Sequence, residues 1–179
     1  GIEYKQKGDL NGYKNILFYC ISITAVASIV IVIMALVISH NIINVYGSMS
    51  SSHLVLAKGI IIAISVQLIS LLFQHYYEGI ILAEEKYVTL KMINLVQVII
   101  QGVCIILLLN LKLGTMAIAL GDMISSLLCL AFEFVFVFFI MRCRAKFYYF
   151  DRELLASVIK LATALCLQSV ILYMNSTID

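Results

Sequence analysis

Read from its N-terminus, the chain alternates long apolar runs with short polar breaks. Four runs, at about residues 16–39, 59–82, 89–109 and 114–141, are each long enough to cross about 30 Å of hydrocarbon, which takes about 20 helical residues. Gly1–Asn15 reads as a basic loop entering the first helix, with Asp9 or Asn11 as its cap. His40–His53 reads as a Ser- and Asn-rich loop, with a short helical lead-in to Lys58. AEEKY at Ala83–Tyr87 and NLKLG at Asn110–Gly114 read as tight turns. Residues 1–145 thus form one group of four spans. Residues 146–160 follow as an amphipathic linker helix, capped by Asp151 and carrying Leu154, Leu155, Val158 and Ile159 on its apolar face. Residues 161–179 then start a further span. The pattern predicts an all-α, polytopic transmembrane helix bundle.

The spans are not uniformly apolar. In the fourth, Asp122, Ser125, Ser126, Cys129 and Glu133 fall within about 100° of one another on a helical wheel, one polar stripe on a greasy helix. In the second, Gln67, Ser70, Gln74 and Glu78 share about 80°, with His75 at the edge, and in the third Asn94, Gln97 and Gln101 share about 60°. A carboxylate facing lipid costs about 2.5–3.5 kcal/mol or more, so these stripes are expected to face protein or water. Two readings compete. Amides in membrane helices often join neighbouring helices, a contribution of about 0.6–2 kcal/mol each. Recurrence of long polar groups on three successive helices points instead to a hydrated cavity. In that cavity Gln67, Gln74, Glu78, Asn94, Gln97, Gln101 and Ser126 would meet a polar substrate. Asp122 and Glu133, with no basic residue at their depth, would take up a proton or a monovalent cation.

Composition agrees with the membrane reading. The 179 residues are 63% hydrophobic and 12% charged, whereas soluble domains are nearer half apolar and a quarter charged. The net charge of +2 singles out no acidic partner, and nothing points to nucleic acid. Its distribution is more telling. If the spans alternate, one side collects all of the 12 Lys and Arg except Lys58 and Lys112. The positive-inside rule then puts the N-terminal loop in the cytoplasm. The five cysteines show neither CxxC pairing nor metal-ligand spacing. No catalytic triad, phosphate loop, metal cluster or cofactor motif is present, so enzyme chemistry is not expected. The opening GIEYKQKGDL and the apolar run close to Asp179 read as a piece of a longer protein.

Several segments carry a family likeness. They are EYKQKGDLNGYKN before the first span, and VYG with the Ser-rich run and LAK at Leu56–Lys58. YYEGIILAEEKYVTLKMINLVQVII, LGTMAIALGDMISSLL, and FDRELLASVIKLA with YMNSTID complete the set. Their order resembles the polysaccharide-exporter branch of the multidrug/oligosaccharidyl-lipid/polysaccharide (MOP) exporter superfamily. The resemblance implies a two-lobe MATE/MOP-like transporter of 12 to 14 spans around a central cavity. This chain would supply spans three to six, the lobe-linking helix and the start of span seven. The implied function is a flippase that moves an undecaprenyl-linked oligosaccharide, the surface-glycan repeat unit, across the cytoplasmic membrane by alternating access. Asp179 would face the acids from the second lobe. Other family members carry a proline near Thr163 or Ala164, and this chain has none. A cation-coupled multidrug antiporter of the same superfamily, or a membrane-embedded scaffold or polymerase of glycan assembly, are the alternatives.

Overall fold

The structure, a computed structural model, describes residues 10–45, 51–143, 145–146, 152, 155–156 and 158–160. Helix α1 spans Leu10–Val45, α2 Ser51–Ala83, α3 Tyr87–Asn110 and α4 Met116–Val135. The last of these runs on into a π-helical turn, Phe136–Ile140. All four helices are long and apolar enough to cross a membrane, and no strand occurs among the described residues. The fold is an all-α helical bundle, as the pattern predicts.

Burial is inverted relative to a water-soluble protein. Val98, Ile106 and Phe139 are each more than 60% exposed, while Gln74, Ser70, Ser125, Ser126 and Glu133 are at most 3% exposed. In water such a surface would drive aggregation. In a bilayer it is the natural arrangement, because lipid is as apolar as leucine and polar groups seek one another. The protein is a multi-pass membrane protein.

Two expected loops are shorter than the sequence suggests. His40–Val45 and Ser51–His53 are helical, and Asn11 lies inside α1 rather than capping it. Hydropathy marks where the hydrocarbon ends, whereas a helix stops only where its backbone meets a breaker or a cap. With no proline in the chain, α1 reaches 36 residues. That is about 54 Å at the helical rise, well beyond the hydrocarbon thickness.

The turns are where expected. At the end of α2, Glu85 sits in the left-handed region at φ 58°. There the Lys86 N–H donates to the Ile81 carbonyl and the Glu85 N–H to that of Leu82. The same pair of bonds ends α3, with Lys112 at φ 62° and the Leu113 and Lys112 N–H groups on Leu108 and Leu109. Both are Schellman closures, which satisfy the orphan carbonyls of a helix end and usually employ glycine at the left-handed position.

The chain forms two compact units, residues 1–22 with 144–179 and residues 23–143. In the first, the Lys146 N–H donates to the Lys14 carbonyl at 3.3 Å. Residues 152, 155–156 and 158–160 are helical, within the expected linker helix. The proposed Asp151 cap, the start of the further span and Asp179 lie outside the described residues. The second unit holds the polar stripes. Within it α4 packs along both α2 and α3, which touch each other far less. The burial repeats every fourth residue: Ala117, Gly121, Ser125, Cys129, Glu133 and Val137. Small residues dominate the first half of this row, as expected where membrane helices approach closely.

Candidate functional site

Helix α4 runs parallel to α2 and antiparallel to α3, so the polar residues of the three helices meet in tiers. In the first tier, the Gln101 Nε2 of α3 donates to the Asp122 Oδ1 of α4 at 2.7 Å. One turn on, the Gln74 Nε2 of α2 donates to the main-chain oxygen of Ser126 at 2.6 Å. The Gln97 Nε2 of α3 reaches the Gln74 Oε1 at 3.4 Å. This second tier ties all three helices together. Gln74 is 3% and Ser126 2% exposed, so these two are packed between helices, while Gln97 also borders an open space between α3 and α4.

The third tier differs. Glu133 is fully buried, and among the described residues its Oε1 has only the Cys129 Sγ, at 3.9 Å. Among the described residues its Oε2 has no hydrogen-bond partner, and neither does the buried Oδ1 of Asn94. Across from Glu133, Glu78 and His75 lie within electrostatic range. These two form a pair of their own, His75 Nδ1 to Glu78 Oε2 at 2.9 Å. The Asn94 amide and the Lys91 ammonium also face Glu78. A buried polar atom left without a partner costs about 1–3 kcal/mol, more where charge is involved. Glu133 is therefore the most exacting group in the bundle. It lies one helical step before the π-helical turn, a rare geometry that tends to accompany functional positions.

Of the expected site residues, the structure joins Gln101 to Asp122, and Gln97 to Gln74 and the Ser126 backbone. It brings Glu78 within electrostatic range of Glu133 and Asn94 to Glu78, and leaves Gln67 half-buried one turn away from Ser70. Ser70 turns inward, its hydroxyl donating to the Val66 carbonyl at 2.9 Å. Sequence reasoning missed two things. The acceptor for Gln74 is a backbone oxygen, which no side-chain wheel reveals. The close contact of α4 with α3 is made by Gly121, where a Cβ would fall 2.5 Å from the Ile105 Cγ1. The row Ala117, Gly121, Ser125 was the available signal. No cluster of three or more metal-ligating side chains occurs among the described residues.

The Gln101–Asp122 bond makes a direct prediction. In a double-mutant cycle with Gln101→Ala and Asp122→Ala, unfolding in mixed micelles is expected to give a coupling of about 0.6–1.7 kcal/mol. Additive effects would mean that the two side chains act independently.

No protein-family model, curated protein or solved structure matches the chain.

Proposed function

We propose that the protein is a membrane transporter of the flippase type, carrying a lipid-linked oligosaccharide across the cytoplasmic membrane by alternating access. The observation that carries the reading is the file of polar groups along three membrane-length helices, ending on a buried carboxyl whose Oε2 lacks a partner among the described residues. Bundle packing alone asks for small residues and paired amides, which the first two tiers supply. An unpaired buried acid weakens a bundle and is retained where it serves a task. In this reading Glu133, with Asp122, takes up a coupling proton or monovalent cation. The half-buried Gln67, Asn94, Gln97 and Gln101 offer hydrogen bonds to sugar hydroxyls when the helices part. The undecaprenyl tail stays in the bilayer. The basic N-terminal loop, the Glu84–Lys86 turn and the region of Arg142 face the cytoplasm, by the positive-inside rule.

The substrate class rests on the resemblance of the charged turn and the Gly-rich opening of α4 to polysaccharide exporters. Deletion of the gene tests it. Surface glycan is expected to be lost and lipid-linked repeat units to accumulate on the inner leaflet, with both defects reversed by the intact gene. Normal surface glycan, with no second flippase in the cell, would overturn the reading. Altered resistance to cationic dyes in its place would favour a drug antiporter.

A further inference from the structure

Between α3 and α4 lies a cavity of about 440 Å³, open on one side. Its α3 wall is a single stripe from Thr89 through Ile93 and Val96 to Ile100, about 16 Å of helix at the helical rise. Across it stand Leu128, Phe132 and Phe136. The open side faces where lipid would be, since Val96, Leu128 and Phe132 are each half exposed or more. One end of this slot is charged. Lys86 stands one helical step before Thr89 on the same stripe, and its Nζ lies 5.5 Å from the centroid of the Phe136 ring. Among the described residues Lys86 makes no ion pair.

We propose that this slot holds one acyl chain of an anionic phospholipid, with the lipid phosphate at Lys86. The shape fits a chain: long, narrow, apolar along its walls except at Gln97 and Cys129 partway down, and entered sideways from the bilayer. Lys86 selects the headgroup: Glu84 and Glu85 precede it in the turn, but it is the Lys86 Nζ that stands over a wall residue of the slot. A Lys ammonium held over an aromatic ring at the membrane surface meets phosphate at the depth where the chain begins. A zwitterionic lipid could fill the slot equally well, but its choline would offset the attraction of Lys86 for the phosphate. The proposal rests on the membrane setting of α3 and α4 and is independent of the transport reading.

The chain contains no tryptophan, which gives a clean optical test. Phe132→Trp places a reporter on the wall of the slot, and Val98→Trp places one on a lipid-facing surface, where Val98 is 63% exposed. Each variant of the full chain is put in bilayer nanodiscs of phosphatidylcholine. These are doped with phosphatidylglycerol or phosphatidylcholine brominated at mid-chain, and tryptophan quenching is followed. At position 132, half-maximal quenching is expected at about fivefold lower mole fraction for the brominated phosphatidylglycerol. Lys86→Gln is expected to abolish that preference while leaving quenching itself. At position 98 both lipids should quench alike, which also shows that the protein is inserted. Equal quenching by the two lipids at position 132 would reduce the slot to ordinary lipid contact. Absence of quenching at 132 with normal quenching at 98 would mean that a protein segment fills the slot. Retention of the preference in Lys86→Gln would show that Lys86 does not hold the phosphate. Any of these three results overturns the proposal.

Discussion

Glu133→Gln is expected to leave the protein inserted and folded at the wild-type level while lowering transport at least about tenfold, a change of about 1.4 kcal/mol in the limiting step. The two halves of this expectation have separate grounds. Folding survives because glutamine is nearly the same size and carries no charge into a site with no exposure. Its amide can also donate, and the Glu78 carboxylate lies within electrostatic range of the position. Transport falls because an amide cannot take up and release a proton, nor neutralise a bound cation. Asp122→Asn serves as the comparison. Asp122 already has Gln101 on its Oδ1, and asparagine keeps an oxygen there to accept that bond. A milder loss is therefore expected. Transport is measured as restoration of surface glycan in a deletion strain, alongside the amount of membrane-inserted protein. Full activity in Glu133→Gln would make the buried acid a packing group only. Equal losses in the two variants would shift the coupling role towards Asp122.

Much of this architecture is legible in the sequence because the bilayer simplifies the problem. Backbone groups inside hydrocarbon must bond within their own segment, so an apolar run of sufficient length is a helix. The turns at Glu84–Lys86 and Leu111–Gly114 are equally plain, since charge and glycine interrupt the hydropathy there. Helix ends outside the membrane are not legible in this way, and α1 overran its expected limits at both ends. The π-helical turn at Phe136–Ile140 has no signal in FVFFI, because it depends on backbone register rather than composition.

The polar stripes are a mixed case. The wheel groups Asp122, Ser125, Ser126, Cys129 and Glu133 on one face, and four of the five prove buried. What the wheel does not supply is the partner. Helix α4 is buried between two neighbours, so one stripe can serve Gln101 on α3 at one turn and Gln74 on α2 at the next. Whether a stripe meets water or another helix depends on which helices pack together, and a periodicity within one helix holds no information about that. The same limit hid the slot between α3 and α4: apart from Gln97 and Cys129 its walls belong to apolar runs, with nothing to distinguish them until they face each other.

Gly121→Leu is expected to remove the folded bundle, the largest structural effect of any single change in α4. At this position a Cβ would lie 2.5 Å from the Ile105 Cγ1, 3.3 Å from its nitrogen and 3.4 Å from its Cα. The side-chain clash alone could be relieved by moving Ile105. A β-branched residue in a helix has little rotamer freedom, however, and the backbone atoms behind it cannot yield without separating the helices. Overpacking by a single methyl typically costs about 1–3 kcal/mol. Gly121→Ala sets that against a gain of about 0.8–1.0 kcal/mol in helix propensity. A net loss is expected for Ala and a collapse of the α3–α4 contact for Leu. Loss of that contact would also break the Gln101–Asp122 bond on the neighbouring position. Two controls isolate the cause. Gly102 on α3 has nothing within 4 Å of its would-be Cβ, so Gly102→Ala should be neutral or stabilising. Ile105→Ala should restore Gly121→Ala towards the wild type, because it removes the Cγ1 that the new methyl meets. Unfolding in mixed micelles reads all four proteins on one scale. If Gly121→Ala proves as harmless as Gly102→Ala, α4 and α3 do not approach closely at this position, and the tiers built on that approach would have to be redrawn.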